Sequence, residues 1–264
     1  MSLGICVATS EGIVVAGESR QTHGGRAGAR VGSDSATKVF ELTENVLAVT
    51  AGWAFLRPQG AASLRNIASL VEEFKSKIAP GSGVQAIANE LFSYFNTVYQ
   101  WHTAQGHDQP TPPGQIALQF LVGGYDQQAR VGTVFQCNIP GGVVPLRDTN
   151  NPGASWIGQF DVVSRIIKGW DPRIGNLPVF QQAGQVAGQQ LAGLEYVIQW
   201  HTMTLQDAID FAKAMIRITI AVQRFTDGIQ LMPGDVPGVG GPIDIAVVRA
   251  GLKAAWILKK ELHA

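Results

Sequence analysis

Gly12-Ile-Val-Val-Ala-Gly-Glu-Ser-Arg-Gln-Thr22 is the stretch from which the fold is read. It opens as an apolar run, residues 12–19, and turns polar at Arg20. Working outward toward the N-terminus, residues 3–9 form a second apolar run, and Ser10-Glu11-Gly12 between the two is a turn signal, so a β-hairpin is expected. Toward the C-terminus, residues 37–42 and 46–50 make another strand pair around Thr43-Glu44-Asn45. Between the pairs, Gly24-Gly25-Arg26-Ala27-Gly28 reads as a flexible loop.

The period then changes. Leu64, Ile67, Ala68, Val71 and Phe74 recur at helical spacing within residues 60–78, and Val84, Ile87, Leu91, Phe95 and Val98 do so within 83–101, with Pro80-Gly81 between. A polar, proline-rich stretch (104–114) precedes strand-like runs at Ile116–Val122, Val131–Asn138, Val143–Leu146 and Ala154–Ile157. Residues 160–169 look helical, Asp171–Pro178 is a loop, and 179–200 is a second helical candidate rich in Gln and Gly. Thr204-Leu205-Gln206-Asp207 is a capping box that opens a helix to about residue 225. After a Gly/Pro loop at 228–241 comes an apolar strand, Ile243–Arg249, and then 253–262 as strand or helix. Strands and helices arrive in blocks, which predicts an α+β fold with sheets packed against helices. With no composition break and no internal repeat, residues 1–264 read as a single domain.

Composition narrows the function classes. Of 264 residues, 45% are hydrophobic and 15% charged, with 20 basic and 20 acidic side chains and 31 glycines. Ample apolar content and zero net charge argue against disorder, glycine without a three-residue period argues against collagen, and the lack of basic excess argues against a nucleic-acid partner. A neutral, sparsely charged surface tends to associate, so an oligomer is expected. No apolar run reaches 18 residues and the N-terminus lacks a basic region, so neither a membrane span nor a signal peptide is predicted. Cys6 and Cys137 sit in strand-like runs as buried free thiols, which suits a cytoplasmic location.

Familiar chemistries are missing from the pattern. The histidines, His23, His102, His107, His201 and His263, form no His-Glu-x-x-His unit, and Cys-x-x-Cys is absent, so no metal and no cofactor are expected. The glycine clusters lack a P-loop Lys-Ser/Thr, and Gly-x-Ser-x-Gly does not occur. The N-terminus offers something else. Ser2 is small enough to permit removal of Met1, and its free α-amine, with a pKa of about 7.7–8.0, is partly neutral at pH 7. One residue then supplies both hydroxyl nucleophile and base. Taken alone, Ser2 reads as a mere start residue.

Several motifs in order give Ser2 a context. Gly12–Thr22 resembles the Gly-Val-Val-x-Ala-x-Asp-Ser-Arg-x-Thr segment of the proteasome β-subunits and their bacterial relatives, HslV and Anbu. Thr37-Lys38-Val39-Phe40-Glu41 is similar to that family's lysine-bearing strand, and Thr50-Ala51-Gly52 to its turn into the first helix. Leu121–Asp126, Pro140-Gly-Gly142 and Gly240-Gly-Pro-Ile-Asp-Ile-Ala-Val-Val248 match later family strands. Ser2 precedes Glu18 by sixteen positions and Lys38 precedes Gly52 by fourteen, as in the family.

The resemblance implies the N-terminal-nucleophile hydrolase fold, a four-layer αββα sandwich, and a peptidase working inside a self-assembled homo-oligomeric ring. Its substrate would be peptide or unfolded protein, with an ATPase as an unassigned partner. It implies Ser2 as nucleophile, Lys38 beside the hydroxyl, Glu18 pairing with Lys38, and the Gly52 N–H at the oxyanion. Arg20 would brace the Glu18 strand, Thr22 and Gly52 would hold an extended peptide, and Thr50 and Ala54 would line a small specificity pocket. The family's Asp-x-x-Ser-Gly-Gly is replaced by Asp235-Val-Pro-Gly-Val-Gly-Gly241, so Asp235 and Ser155 are both candidates to support the α-amine. Serine stands where most relatives have threonine, and residues 171–201 and 228–238 are extra. Without the resemblance, Glu18, Arg20 and Lys38 read as an ion-pair cluster at a strand edge. Two rival functions stay open: a non-catalytic ring scaffold that keeps Met1, and a small-molecule amidase of the same superfamily.

Overall fold

A computed structural model of the chain describes residues 2–25, 28–108, 110–226 and 236–261. In chain order the strands are β1 (Leu3–Thr9), β2 (Gly12–Glu18), β3 (Gln21–Gly25), β4 (Gly28–Ser33), β5 (Val39–Thr43), β6 (Val46–Gly52), β7 (Phe55–Leu56), β8 (Arg65–Asn66), β9 (Leu118–Tyr125), β10 (Gly132–Ile139), β11 (Gly142–Asp148), β12 (Gly153–Gly158), β13 (Ile243–Val248) and β14 (Ala255–Leu258). The helices are α1 (Ile67–Lys75), α2 (Val84–Ala104), α3 (Asp161–Lys168), α4 (Pro178–Ala192) and α5 (Leu205–Phe225). The protein is a mixed α+β arrangement of antiparallel sheets and helices. One five-stranded sheet runs β12-β1-β2-β13-β14 and another β11-β10-β9-β6-β5.

The hairpin read from residues 3–19 is the centre of the first sheet. β1 and β2 pair with Thr9 opposite Gly12. The Thr9 hydroxyl closes the turn by donating to the Gly12 carbonyl at 3.1 Å and accepting from the Glu11 N–H at 3.2 Å. Both strands are buried along their whole length, which explains why they read as continuous apolar runs rather than alternating ones. The two faces separate by parity. Leu3, Ile5, Val7, Val14 and Ala16 pack with Ala208, Ala212 and Ile216 of α5. Cys6, Ala8, Ile13 and Val15 pack instead with Leu47, Val49 and Leu121 of the second sheet. The other face of that sheet, through Val46, Ala48, Phe120 and Val122, packs with Leu70 of α1 and Leu91 and Phe95 of α2. Burial pushes the thiols of Cys6 and Cys137 up to about 12, so both are unreactive at neutral pH.

The sheets approach closely near the start of β1. Gly4 and Gly17 are cross-strand partners, and a methyl group on either would lie 2.9 Å from Val49 Cγ2. That approach brings the ends of β1 and β2 against the residues that enter β5.

Some boundaries differ from the sequence expectation. The first helix begins at Ile67 rather than near residue 60, because the Asn66 side chain accepts the Ser69 N–H at 2.7 Å and sets the N-cap there. Leu64, counted on the apolar face, is 52% exposed. Of the expected loop at Gly24–Gly28, Gly24 and Gly25 end β3 and Gly28 begins β4, while residues 26 and 27 lie outside the described ones. The Gln/Gly-rich helix stops at Ala192 instead of residue 200, and 253–262 resolves into the short strand β14. The capping box at Thr204 and Asp207 forms as read. Among the described residues, no helix is long and apolar enough to cross a membrane.

Candidate active site

β1 begins at Leu3, so Ser2 sits at the mouth of the first sheet, with 5% of its surface exposed. Its carbonyl accepts the Gln159 N–H at 2.7 Å, which ties it to the end of β12. Lys38 directly precedes β5, and its carbonyl accepts the Thr50 N–H of β6 at 3.0 Å. The ammonium donates to Ser2 Oγ at 2.7 Å, and also to Glu18 Oε1 and the Arg20 carbonyl. An ammonium has three protons, so each finds an acceptor.

Glu18, the last residue of β2, is held as firmly. Oε1 accepts from Lys38 Nζ and from the Leu3 N–H at 3.4 Å; Oε2 accepts the N–H groups of Arg20 at 2.7 Å and Gly240 at 3.0 Å. The Lys38–Glu18 ion pair is almost closed to water, with side-chain exposures of 8% and 0%. Burial pushes the Glu18 carboxyl above its usual range, against the pull of the neighbouring Lys38 charge. Burial likewise pushes the Lys38 ammonium below its usual range, against the pull of Glu18. A lysine in this position exchanges its proton more readily than an exposed one.

Arg20 does not touch Glu18 through its guanidinium. That group forms a bidentate pair with Asp34, at 2.7 and 2.9 Å, and reaches the Pro237 carbonyl at 3.4 Å. The hydrogen bond from Arg20 holds the Asp34 carboxyl below its usual range. Arg20 thus braces the chain that enters β3 against the segment leading to Gly240.

A cleft of about 500 Å³ opens over Ser2 and Lys38. Arg20, Thr22, Thr50, Gly52 and Ala54 line it. Gly52 has φ +115°, and a Cβ there would meet the Ala117 carbonyl oxygen at 2.3 Å, so only glycine fits. The Thr50 hydroxyl donates to the Gln119 carbonyl at 3.0 Å, so its polarity is already satisfied. The structure therefore brings Ser2, Glu18, Arg20, Thr22, Lys38, Thr50, Gly52 and Ala54 to one place.

One candidate does not join them. Ser155 is opposite Cys6 in the β1–β12 ladder, whereas Leu3 is opposite Gly158, so Ser155 lies several residues along the strand from Ser2. The expected role beside the α-amine is corrected on that register. Asp235 lies outside the described residues. The sequence reading also missed residues that the structure places here. Trp53, Asn66, Ile67 and Ala68 line the cleft, because the N-cap of α1 falls at its wall. Gln223 of α5 links the Gln159 side chain (2.9 Å) to the Val239 N–H (2.9 Å) and so supports the backbone next to Ser2. The Asn66-x-x-Ser69 cap was a legible signal; a lone glutamine late in a helix was not.

No family model matches the chain, and no curated protein matches it.

Proposed function

We propose that the chain is an N-terminal serine hydrolase that cleaves peptide (amide) bonds, built as a four-layer αββα sandwich and assembled into a homo-oligomeric ring. The observation that carries this reading is the 2.7 Å contact between Lys38 Nζ and Ser2 Oγ, with Glu18 paired to the lysine and Gly52 lining the same cleft. A buried cation aimed at a serine hydroxyl beside an open cleft has little structural purpose and a clear chemical one. The ordered resemblance to proteasome β-subunits supports the same reading, and so do the layers of packing on either side of the paired sheets.

In this mechanism, removal of Met1 frees the Ser2 α-amine. Ser2 Oγ attacks the substrate carbonyl carbon while the α-amine takes the hydroxyl proton. The Lys38 ammonium stabilises the charge that grows on Oγ, and Glu18 keeps the lysine aimed. The carbonyl oxygen becomes an oxyanion, stabilised by the Gly52 N–H. As the C–N bond breaks, the α-ammonium returns its proton to the leaving amine, and an ester on Ser2 remains. Water, deprotonated by the same amine, then hydrolyses the ester and restores Oγ. Thr22 and Gly52 flank the cleft as strand-like edges for an extended peptide.

The ring is supported by the sparse charge of the chain and by exposed apolar side chains around α4, including Leu177, Val179 and Val186. The test of activity is hydrolysis of a fluorogenic peptide series. Wild type and Ser2→Thr should turn over, while Ser2→Ala should fall to background. Equal rates for wild type and Ser2→Ala would overturn the assignment.

A further inference from the structure

A second buried ion pair lies behind the first. Asp244, in β13, is the cross-strand partner of Gly17, and a Cβ on Gly17 would lie 3.8 Å from Lys38 Cβ. The Asp244 carboxylate accepts the Lys260 backbone N–H at 2.7 Å on Oδ1 and the Lys260 ammonium on Oδ2. The side chains are 4% and 8% exposed, close to the values for Glu18 and Lys38. A separate groove of about 1060 Å³ reaches this pair, and Thr37, next to Lys38, lines both it and the Ser2 cleft.

We infer that the Asp244–Lys260 pair is a positioning element for Lys38, which holds the C-terminal segment against β13 and sets the local charge in which Lys38 works. This rests on the hydrolase reading of Ser2 and Lys38. A buried ion pair without a role is an expensive way to anchor a chain end, since an apolar pair of similar volume does as well or better. Its position gives it a role. Lys38 contacts Ser2 just before β1, Glu18 from β2 and the Arg20 carbonyl before β3, and it feels the charges of Asp34 after β4 and Lys260 in the C-terminal segment. Next to burial itself, and against the attraction of Glu18, the Lys260 charge is among the influences that push the Lys38 ammonium below its usual range. Asp244 neutralises Lys260 and so limits that push. The two members of the pair therefore act on Lys38 in opposite directions, which no purely structural anchor does.

The experiment is a titration of the Lys38 side-chain nitrogen by 15N-lysine NMR, in wild type, Lys260→Gln and Asp244→Asn, both variants being close in shape to the originals. Lys260→Gln should raise the Lys38 midpoint and Asp244→Asn should lower it, each by about one pH unit, as expected for gain or loss of a near charge. The alkaline limb of kcat/KM should move with the midpoint. Either variant that folds decides by the direction of its shift, and the double variant should return the midpoint to the wild-type value. Shifts of the same sign, or none, would overturn the inference. A midpoint that moves as stated in a protein inactive on peptides keeps this charge coupling and removes the hydrolase reading. An active enzyme with an unmoved midpoint does the reverse.

Discussion

At the residue scale, the site is an exercise in satisfying buried charge. Glu18 accepts four donors and Lys38 offers three, so neither is left alone in a nearly dry setting. Removing one partner is therefore costly in its own right. Lys38→Met should destabilise the fold by about 3–5 kcal/mol in urea unfolding, because Glu18 stays buried without its cation, and Glu18→Gln in the same chain should recover part of that loss. Turnover should be abolished in both. Gly52→Ala forces a side chain into φ +115° and toward the Ala117 carbonyl. It should cost about 1–3 kcal/mol and remove activity together, as read by thermal unfolding and peptide hydrolysis. Ser2, Glu18, Lys38 and Gly52 were picked out by the resemblance and not by pattern alone, which gives Glu18, Arg20 and Lys38 only as an ion-pair cluster. Ser155 was misread because the sequence does not reveal the register of β12 on β1. Gln159 and Gln223 went unseen because their contact joins residues 64 positions apart.

At the element scale, strands buried on both faces announced themselves as unbroken apolar runs, and the long helices as periodic ones. What failed was the ends. Leu64 matched the period of α1 but lies before the Asn66 cap, and capping is decided by one side chain rather than by a pattern. The helix that follows is anchored by charge. Lys77 and Arg65 hydrogen-bond to Glu73 and hold its carboxyl down to about 2 from an ordinary 4.5. A depressed carboxyl stabilises the fold above its ordinary pKa and loses that contribution as pH falls. The stability gap between wild type and Glu73→Gln should be constant above about pH 4.5 and close as pH approaches about 2, in urea titrations at stepped pH. Thr204→Ala breaks the capping box of α5 and should cost about 0.5–2 kcal/mol while leaving peptide hydrolysis unchanged, since the cap is at the end of α5 opposite Gln223.

At the scale of the whole molecule, sparse charge and a helix with no buried side chain described along it belong together. α4 carries no charged residue from Pro178 to Ala192 and leaves Val179 and Val186 exposed. An isolated helix of this length is marginal in water, so contact with another copy gives it a reason to form. Native mass spectrometry should show a homo-oligomer, and replacing Val179 and Val186 with Glu should weaken it without unfolding the subunit. A monomeric wild type would remove the ring from the account. The central claim, however, is chemical: Ser2 carries a free amine and a reactive hydroxyl. Intact-mass spectrometry before and after incubation with a peptide β-lactone tests it most directly. The account predicts a chain that lacks Met1 and gains one acyl group, with no gain in Ser2→Ala; a chain that keeps Met1 and gains nothing would contradict it.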